Sequence, residues 1–463
     1  MPEFLILGAG PTGLGAAYRL KELGVSDFLV VDGAPRVGGL ATSFRDPQGF
    51  TWDIGGHVQF SHYEYFDDLM DRALGRDGWL YHERESWIWI RERFVPYPFQ
   101  NNLRHLPAED LWRCLRGLVE LHRNPAGRPP ANFGEWIRAT MGGGVAETFL
   151  EPYNFKVWAH PLTELSHEWV GDRVAVADLE RVLRNVILGL DDVSWGPNSA
   201  FRFPRYGGTG AIWEAVGDLI GRQFIRLNSP VTGVASGSRQ VTLADGASLA
   251  YQFLLNTIPL DQFVGLVRDA PPGFSEPVRD LCYSSSNIVG IGLEGSTPPP
   301  LATKCWMYFP ESNSPFYRVT VFSNYSPNNV ARPGEQWSLM AEVSESVHKP
   351  VNQETLPDDV LRGLQATRLI QPDSRIVSRW QYRADHGYPT PTLGRNAALE
   401  AIQAVLEPRN IFSRGRFGGW KYEVSNQDHS MMQGVEWANR MVRGEPEATY
   451  FFPGRVNAGR GRR

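Results

Sequence analysis

Cysteine is nearly absent from the 463 residues: Cys114, Cys282 and Cys305 are odd in number and far apart. That excludes a disulfide framework and any cysteine metal or redox motif, and it predicts three packing residues in a reducing compartment. No apolar run approaches the roughly 18 residues that a spanning helix requires, and the first apolar segment opens at Phe4, without room for a signal peptide. A soluble, cytoplasmic protein is expected. Neither sign of charge dominates: 46 Lys and Arg stand against 51 Asp and Glu, a net −5, so neither nucleic acid nor an anionic membrane is expected as partner. The ten His are dispersed without the helical spacing of a zinc site, and no Gly-x-Ser-x-Gly elbow occurs. No metal is expected, and no repeat organises the chain.

What is there begins at Phe4-Leu-Ile-Leu-Gly8-Ala-Gly10-Pro-Thr12-Gly13-Leu-Gly15, an apolar strand running into a glycine-rich turn and then a helix. The first glycine permits the tight turn, the second lets the backbone approach a pyrophosphate, and the third lets helix pack on strand. A helix over Ala16–Leu23 leads to Gly24 and a second strand, Phe28-Leu-Val-Val-Asp32, whose acid stands 19 residues after Gly13, against about 20 for a dinucleotide fold. Asp32 suits an adenosine ribose and repels a 2′-phosphate, which favours FAD or NAD over NADP. A second glycine set then follows in Gly33-Ala-Pro-Arg-Val-Gly38-Gly39-Leu40 and Asp53-Ile-Gly55-Gly56-His57. A long cofactor in an extended channel needs such backbone approach on both faces, and the chain reads as an FAD protein. The 15 Trp, 16 Tyr and 24 Phe are apt walls for such a site.

The predicted fold class is α/β: a Rossmann-like FAD-binding domain over 1–78, 203–270 and 395–463, an inserted helical subdomain over 100–202, and an antiparallel sheet and substrate domain over 79–99 and 271–394. Trp79–Tyr97 reads as a strand pair turning at Arg91-Glu-Arg93, Pro107 to about Leu190 as helical, and Asn287–Val343 as antiparallel sheet. Near the end, Asn410–Gly415 followed by a helix near Ser430–Val442 returns the chain to the cofactor. The tail Gly454–Arg463 is expected to be disordered. Arginine and tyrosine recur in glycine- and proline-shaped segments, among them Gly171-Asp-Arg173, Phe316-Tyr317-Arg318 and Arg414-Gly-Arg416-Phe. These are the residue types that grip a diphosphate and stack on a base.

Over nearly its whole length the chain resembles the UDP-galactopyranose mutases of the eukaryotic type. The likeness rests on Gly8-Ala-Gly-Pro-Thr-Gly-Leu-Gly-Ala-Ala17, Gly55-Gly-His-Val-Gln-Phe-Ser-His62, Val95-Pro-Tyr-Pro-Phe-Gln-Asn-Asn102 and Pro152-Tyr-Asn-Phe-Lys-Val-Trp158. It continues through Trp195-Gly-Pro-Asn198, Pro315-Phe-Tyr-Arg318, Phe322-Ser-Asn-Tyr-Ser-Pro327, Asp385-His-Gly-Tyr-Pro-Thr-Pro391 and Ser413-Arg-Gly-Arg-Phe-Gly418. The resemblance implies an isomerase interconverting UDP-galactopyranose and UDP-galactofuranose with no net redox change. In that family the N5 of reduced flavin attacks the anomeric carbon, UDP leaves, and a covalent flavin–sugar iminium lets the ring open and reclose.

Residue by residue, the resemblance assigns Arg173 and Arg318 to the diphosphate, Tyr97 and Gln100 to uridine, and Phe60 to the substrate mouth. Tyr308, Tyr325, Tyr388 and Tyr422 match phenols near diphosphate and sugar; Asn154, Trp158, Asn198 and Asn426 match wall positions. His57 follows the flavin-facing glycines and is counted as catalytic with the two arginines. The cofactor set is Gly8, Gly10, Thr12, Gly13, Asp32, Gly38, Gly39, Leu40, Gly55, Gly56, His57, Arg84, Ser86, Val231, Arg416, Asn426, Gln427 and Ser430. Arg84, Ser86 and Arg416 match positions where a phosphate-bearing reductant, NADPH, docks transiently, since no second nucleotide fingerprint is present.

The chain departs from its relatives at Ser425, where Tyr-Glu-Val-Gly-Asn is usual, so the backbone there is expected to strain. The nine residues between Pro327 and Trp337 form a shorter loop than in several relatives, which leaves a homo-oligomer open. Three rival functions remain: a flavin oxidase or dehydrogenase of the amine-oxidase-like fold, a mutase for a related nucleotide sugar, and a nucleotide-sugar binder without turnover.

Overall fold

The computed structural model describes residues 2–125, 127–193, 196 and 199–458. Strand Phe4–Leu7, buried at every position, is the middle of a five-stranded sheet. Phe28–Val31 and Phe253–Asn256 pair with it in parallel, and Ile225–Arg226 and Ile411–Ser413 form the edges. Parallel strands covered on both faces carry unbroken apolar runs, as Phe-Leu-Ile-Leu and Phe-Leu-Val-Val do. The first helix spans Pro11–Glu22 and so starts five residues earlier than the sequence suggested. Proline at its first position, pre-set for helical φ, opens it directly behind Gly10, which brings its free N–H groups to the glycine turn. The helix Gln427–Arg443 packs across it.

A seven-stranded sheet forms the second layer, in the order Ile376–Pro389, Tyr283–Glu294, Gln336–Glu345, Arg318–Val321, Trp306–Tyr308, Ser86–Ile90, Arg93–Pro96. Every pairing is antiparallel except Trp306–Tyr308 with Ser86–Ile90. The expected strand pair over Trp79–Tyr97 is half realised. Arg91 and Glu92, at φ 53° and 58°, make the tight left-handed turn of a two-residue hairpin between Ser86–Ile90 and Arg93–Pro96. That leaves Trp79–Glu83 to pair instead with Ala200–Pro204, where the Arg202 guanidinium sits 4.4 Å over the Trp79 ring.

Helices Ala108–Arg123, Phe133–Val145, Glu151–Trp158 and Leu179–Leu188 bury Leu118, Ile137, Met141 and Trp158 against Ile88, Ile90 and Val95 of the hairpin. Cys114 and Cys305 are buried and Cys282 is half-buried, all three as free thiols. The tail is more ordered than expected: Pro453–Asn457 is helical, and the Asn457 amide donates to the Glu423 carbonyl at 3.0 Å. Residues 459–463 lie outside the described residues. Among the described residues no helix is long and apolar enough to cross a membrane.

Asp53, wholly buried just ahead of Gly55, accepts from Ser43 Oγ at 2.5 Å and from the Thr209 N–H. Burial pushes its pKa up to about 6, against the pull of those bonds. With an unfolded value near 3.9, its proton stabilises the fold fully below about pH 4, and that contribution is lost as pH rises through about 6. Asp53→Asn should therefore gain on the wild type by about 2 kcal/mol between pH 4 and 6, read from urea melts at the two ends.

Candidate active site

A cavity of about 1220 Å³ runs from the glycine turn, between the two sheets, to an aromatic wall under the helices. Drug-sized pockets hold roughly 300–1,000 Å³, so this one has room for a long cofactor and a second ligand. At its first end lie Gly8, Gly10, Thr12, Asp32, Gly39, Leu40 and Val231. Both Asp32 oxygens are oriented by backbone, accepting from the Ala9 and Ala34 N–H groups at 2.6 and 2.7 Å; burial nonetheless holds its pKa above the usual carboxylate value. Gly13 and Gly38 stand just behind this wall. Gly38, at φ 107°, donates its N–H to the Ala9 carbonyl at 2.8 Å and ties the two glycine clusters together.

The middle of the cavity is lined by Gly55, Gly56, His57, Arg416, Asn426, Gln427 and Ser430. Burial lowers the His57 pKa to about 4; Arg416 and Arg318 push the same way and Glu342 opposes them. The imidazole is neutral at neutral pH, and its Nδ1 is a buried polar atom without a protein partner among the described residues. Ser425 sits at φ −118°, outside the left-handed region, so the strain expected of a serine there does not arise.

The far end gathers Phe60, Tyr97, Gln100, Asn154, Trp158, Arg173, Tyr308, Arg318, Tyr388 and Tyr422. Trp158 meets Tyr422 edge-on at 4.8 Å and Tyr388 at 6.0 Å. Asn154 donates to the Leu150 carbonyl at 2.8 Å, Gln100 to the carbonyl of Ala175, and Arg173 to that of Glu423. Three expected residues are placed elsewhere. Tyr325 is buried in the core behind the site, 5.2 Å from Phe203 and 5.5 Å from Phe201. Ser86 and Arg84 lie behind Tyr97: the Ser86 carbonyl accepts the Tyr97 N–H at 3.1 Å, and the Arg84 guanidinium covers its ring at 5.1 Å. Asn198 lies outside the described residues.

Sequence reasoning missed the residue that joins the middle to the far end. Glu342 faces Arg318 directly across neighbouring strands and takes its Nε and Nη2 at 2.6 and 2.7 Å. It also accepts from the Gly56 N–H at 3.0 Å and from the Tyr317 hydroxyl at 2.8 Å. Burial raises its pKa, but the Arg318 charge and these bonds overcome that and keep the carboxyl ionised. The available signal was an acid inside the apolar run Trp337–Val343. Glu342→Gln should destabilise the protein by about 3–5 kcal/mol in urea melts, because it strands a guanidinium in the interior. A second missed link is Asp428, which accepts from the His62 N–H at 3.0 Å and contacts His62 Nδ1 at 2.7 Å. With His429 these form a group within 4.8 Å that no local spacing in the sequence signals.

The profile of the flavin containing amine oxidoreductases matches residues 11–419. A crystal structure of a reduced UDP-galactopyranose mutase superimposes with a TM-score of 0.96 at 48% identity, over 100% of this chain and 98% of that one. The chain belongs to the flavin-containing amine oxidoreductase family, in its UDP-galactopyranose mutase branch. Similarity to two other proteins is weaker. A fatty acid isomerase from P. acnes that produces CLA superimposes at TM-score 0.64 with 14% identity, covering 95% of this chain and 99% of its own. A Dictyostelium discoideum protein described as a probable flavin-containing monoamine oxidase A is 22% identical over 274 residues, 56% of this chain and 57% of that relative. The walls fit the flavin of this family: free helix N–H groups stand at the glycine turn, and an orphaned His57 nitrogen stands where the second glycine cluster meets the cavity.

Proposed function

We propose that the protein interconverts UDP-galactopyranose and UDP-galactofuranose, with FAD in the long arm of the cavity and the nucleotide sugar at its aromatic end. The observation that carries this reading is Glu342, which ties the flavin-side Gly56 backbone to Arg318 at the far end, so that cofactor and leaving group share one rigid support. Bound and reduced, the flavin supplies the nucleophile for the anomeric carbon. The chain does the rest. Arg318 and Arg173 hold the diphosphate through charge-assisted bonds, which lowers the cost of UDP departure. Tyr97 and Gln100 receive the uracil. Trp158, Tyr308, Tyr388 and Tyr422 would keep water from the sugar, and neutral His57 adds no further cation to the middle of the cavity. NADPH serves as the reductant in this same cavity.

The test is one assay: purified yellow protein with UDP-galactofuranose, with and without dithionite. Formation of the pyranose only after reduction is the expected result. Oxygen consumption with an amine, or tight binding without conversion, would replace this reading with an oxidase or a binding protein.

A further inference from the structure

Arg416 is a cation on the cavity wall whose acceptors among the described residues are all neutral. Its Nε and Nη2 donate to the Gly387 carbonyl at 3.2 and 2.8 Å, and its Nη1 reaches the Ser425 carbonyl at 3.3 Å and the Ser425 hydroxyl at 2.9 Å. Its guanidinium also lies 4.9 Å over the Tyr388 ring. Arg318, the other arginine close to His57, differs in being matched by Glu342. A charge that the protein leaves uncompensated inside a cavity favours an anion there.

The Ser425 hydroxyl has a fixed polarity. It donates to the Tyr422 carbonyl at 3.0 Å, which leaves a lone pair for Arg416. A glycine at this place would keep the carbonyl contact and lose the shorter one. The unstrained backbone at Ser425 is what allows the side chain to be there.

We propose that Ser425 is a positioning residue: by holding Arg416 against the middle of the cavity, it raises the preference of the site for the anionic, reduced flavin. This rests on the reading that the flavin ring occupies that part of the cavity, and it does not depend on which sugar is turned over.

The experiment is the flavin midpoint potential of the purified holoprotein, measured against a reference dye during slow enzymatic reduction. Ser425→Ala and Ser425→Gly should lower the reduced-to-oxidised ratio at fixed potential about five-fold, or ~20 mV for a two-electron couple, while Ser425→Thr stays with the wild type. Arg416→Gln should shift further in the same direction, and adding Ser425→Ala to it should change nothing more. If Arg416→Gln moves the potential and the Ser425 variants do not, the role of Ser425 is overturned and the flavin placement stands. If neither moves it, the charge argument itself fails. A merely structural serine would lower the melting temperature without touching the potential, which also overturns the proposal. Loss of mutase activity with the shift intact would count against the sugar chemistry alone.

Discussion

Arg318→Ala should slow conversion of UDP-galactofuranose by roughly 10²–10⁴-fold while the protein remains yellow. Glu342 takes one N–H each from Nε and Nη2, so both N–H groups of Nη1 remain to donate to a diphosphate. Two charge-assisted bonds from it contribute roughly 1.5–3 kcal/mol each, and about 1.4 kcal/mol is a factor of ten in rate. Those bonds strengthen as negative charge gathers on departing UDP, so the loss should fall on turnover more than on binding of the sugar nucleotide. The protein should still bind flavin, because the glycine turn and Asp32 lie at the other end of the cavity, although the buried Glu342 carboxylate left without its cation should lower the urea midpoint. Arg318→Lys keeps the charge but cannot reach Glu342 with a planar fork, and should recover part of the rate. Wild-type kinetics in Arg318→Ala would remove this residue from the reaction.

Gly13→Ala should yield protein with almost no flavin, an affinity at least 100-fold weaker. A methyl group there would lie 1.9 Å from the Gly8 carbonyl oxygen and 3.1 Å from Ile6 Cγ2. Ordinary contact needs about 3.4 Å or more, so the helix Pro11–Glu22 must slide away from strand Phe4–Leu7. That carries its N-terminal N–H groups off the phosphate seat, and neither backbone can yield without breaking the buried sheet. Gly24 is the control. Nothing lies within 4 Å of its would-be methyl group, and only its φ of 79° resists alanine, a cost of roughly 1–2 kcal/mol that leaves flavin in place. The ratio of flavin to protein absorbance in the two purified variants decides the matter, and a fully yellow Gly13→Ala would refute the close-packing argument.

The nucleotide seat was legible because its constraints are local. Gly8, Gly10 and Gly13 act within six residues of one another, and Asp32 ends the next strand, so one βαβ unit displays the whole requirement. The hairpin at Arg91-Glu-Arg93 was legible for the same reason, whereas the partner of Trp79–Glu83 was not, since it comes from residues 200–204. Long strings of resemblance placed most of the cavity wall. They did not place Tyr325, because a phenol on the short helical turn Phe322–Tyr325 can face cavity or core, and here the rings of Phe201, Phe203 and Phe322 take it inward.

The residues alone determined the class of fold and the glycine turn of the first βαβ unit, since these follow from short-range rules of turns and periodicity, while the side chains at the far end of the cavity came from the resemblance. Only the tertiary structure decided how those parts are coupled. Which face of strand Gln336–Glu345 meets Gly56 depends on register with Arg318–Val321, and register puts Glu342 on the cavity side while Ala341 and Val343 pack into the opposite core. The contact between His62 and Asp428 spans 366 residues, and the bond from Arg416 to Ser425 exists because the chain bends between them. The pairings of Glu342 with Gly56 and of His62 with Asp428 are set by the packing of whole layers, and no short window of sequence contains them.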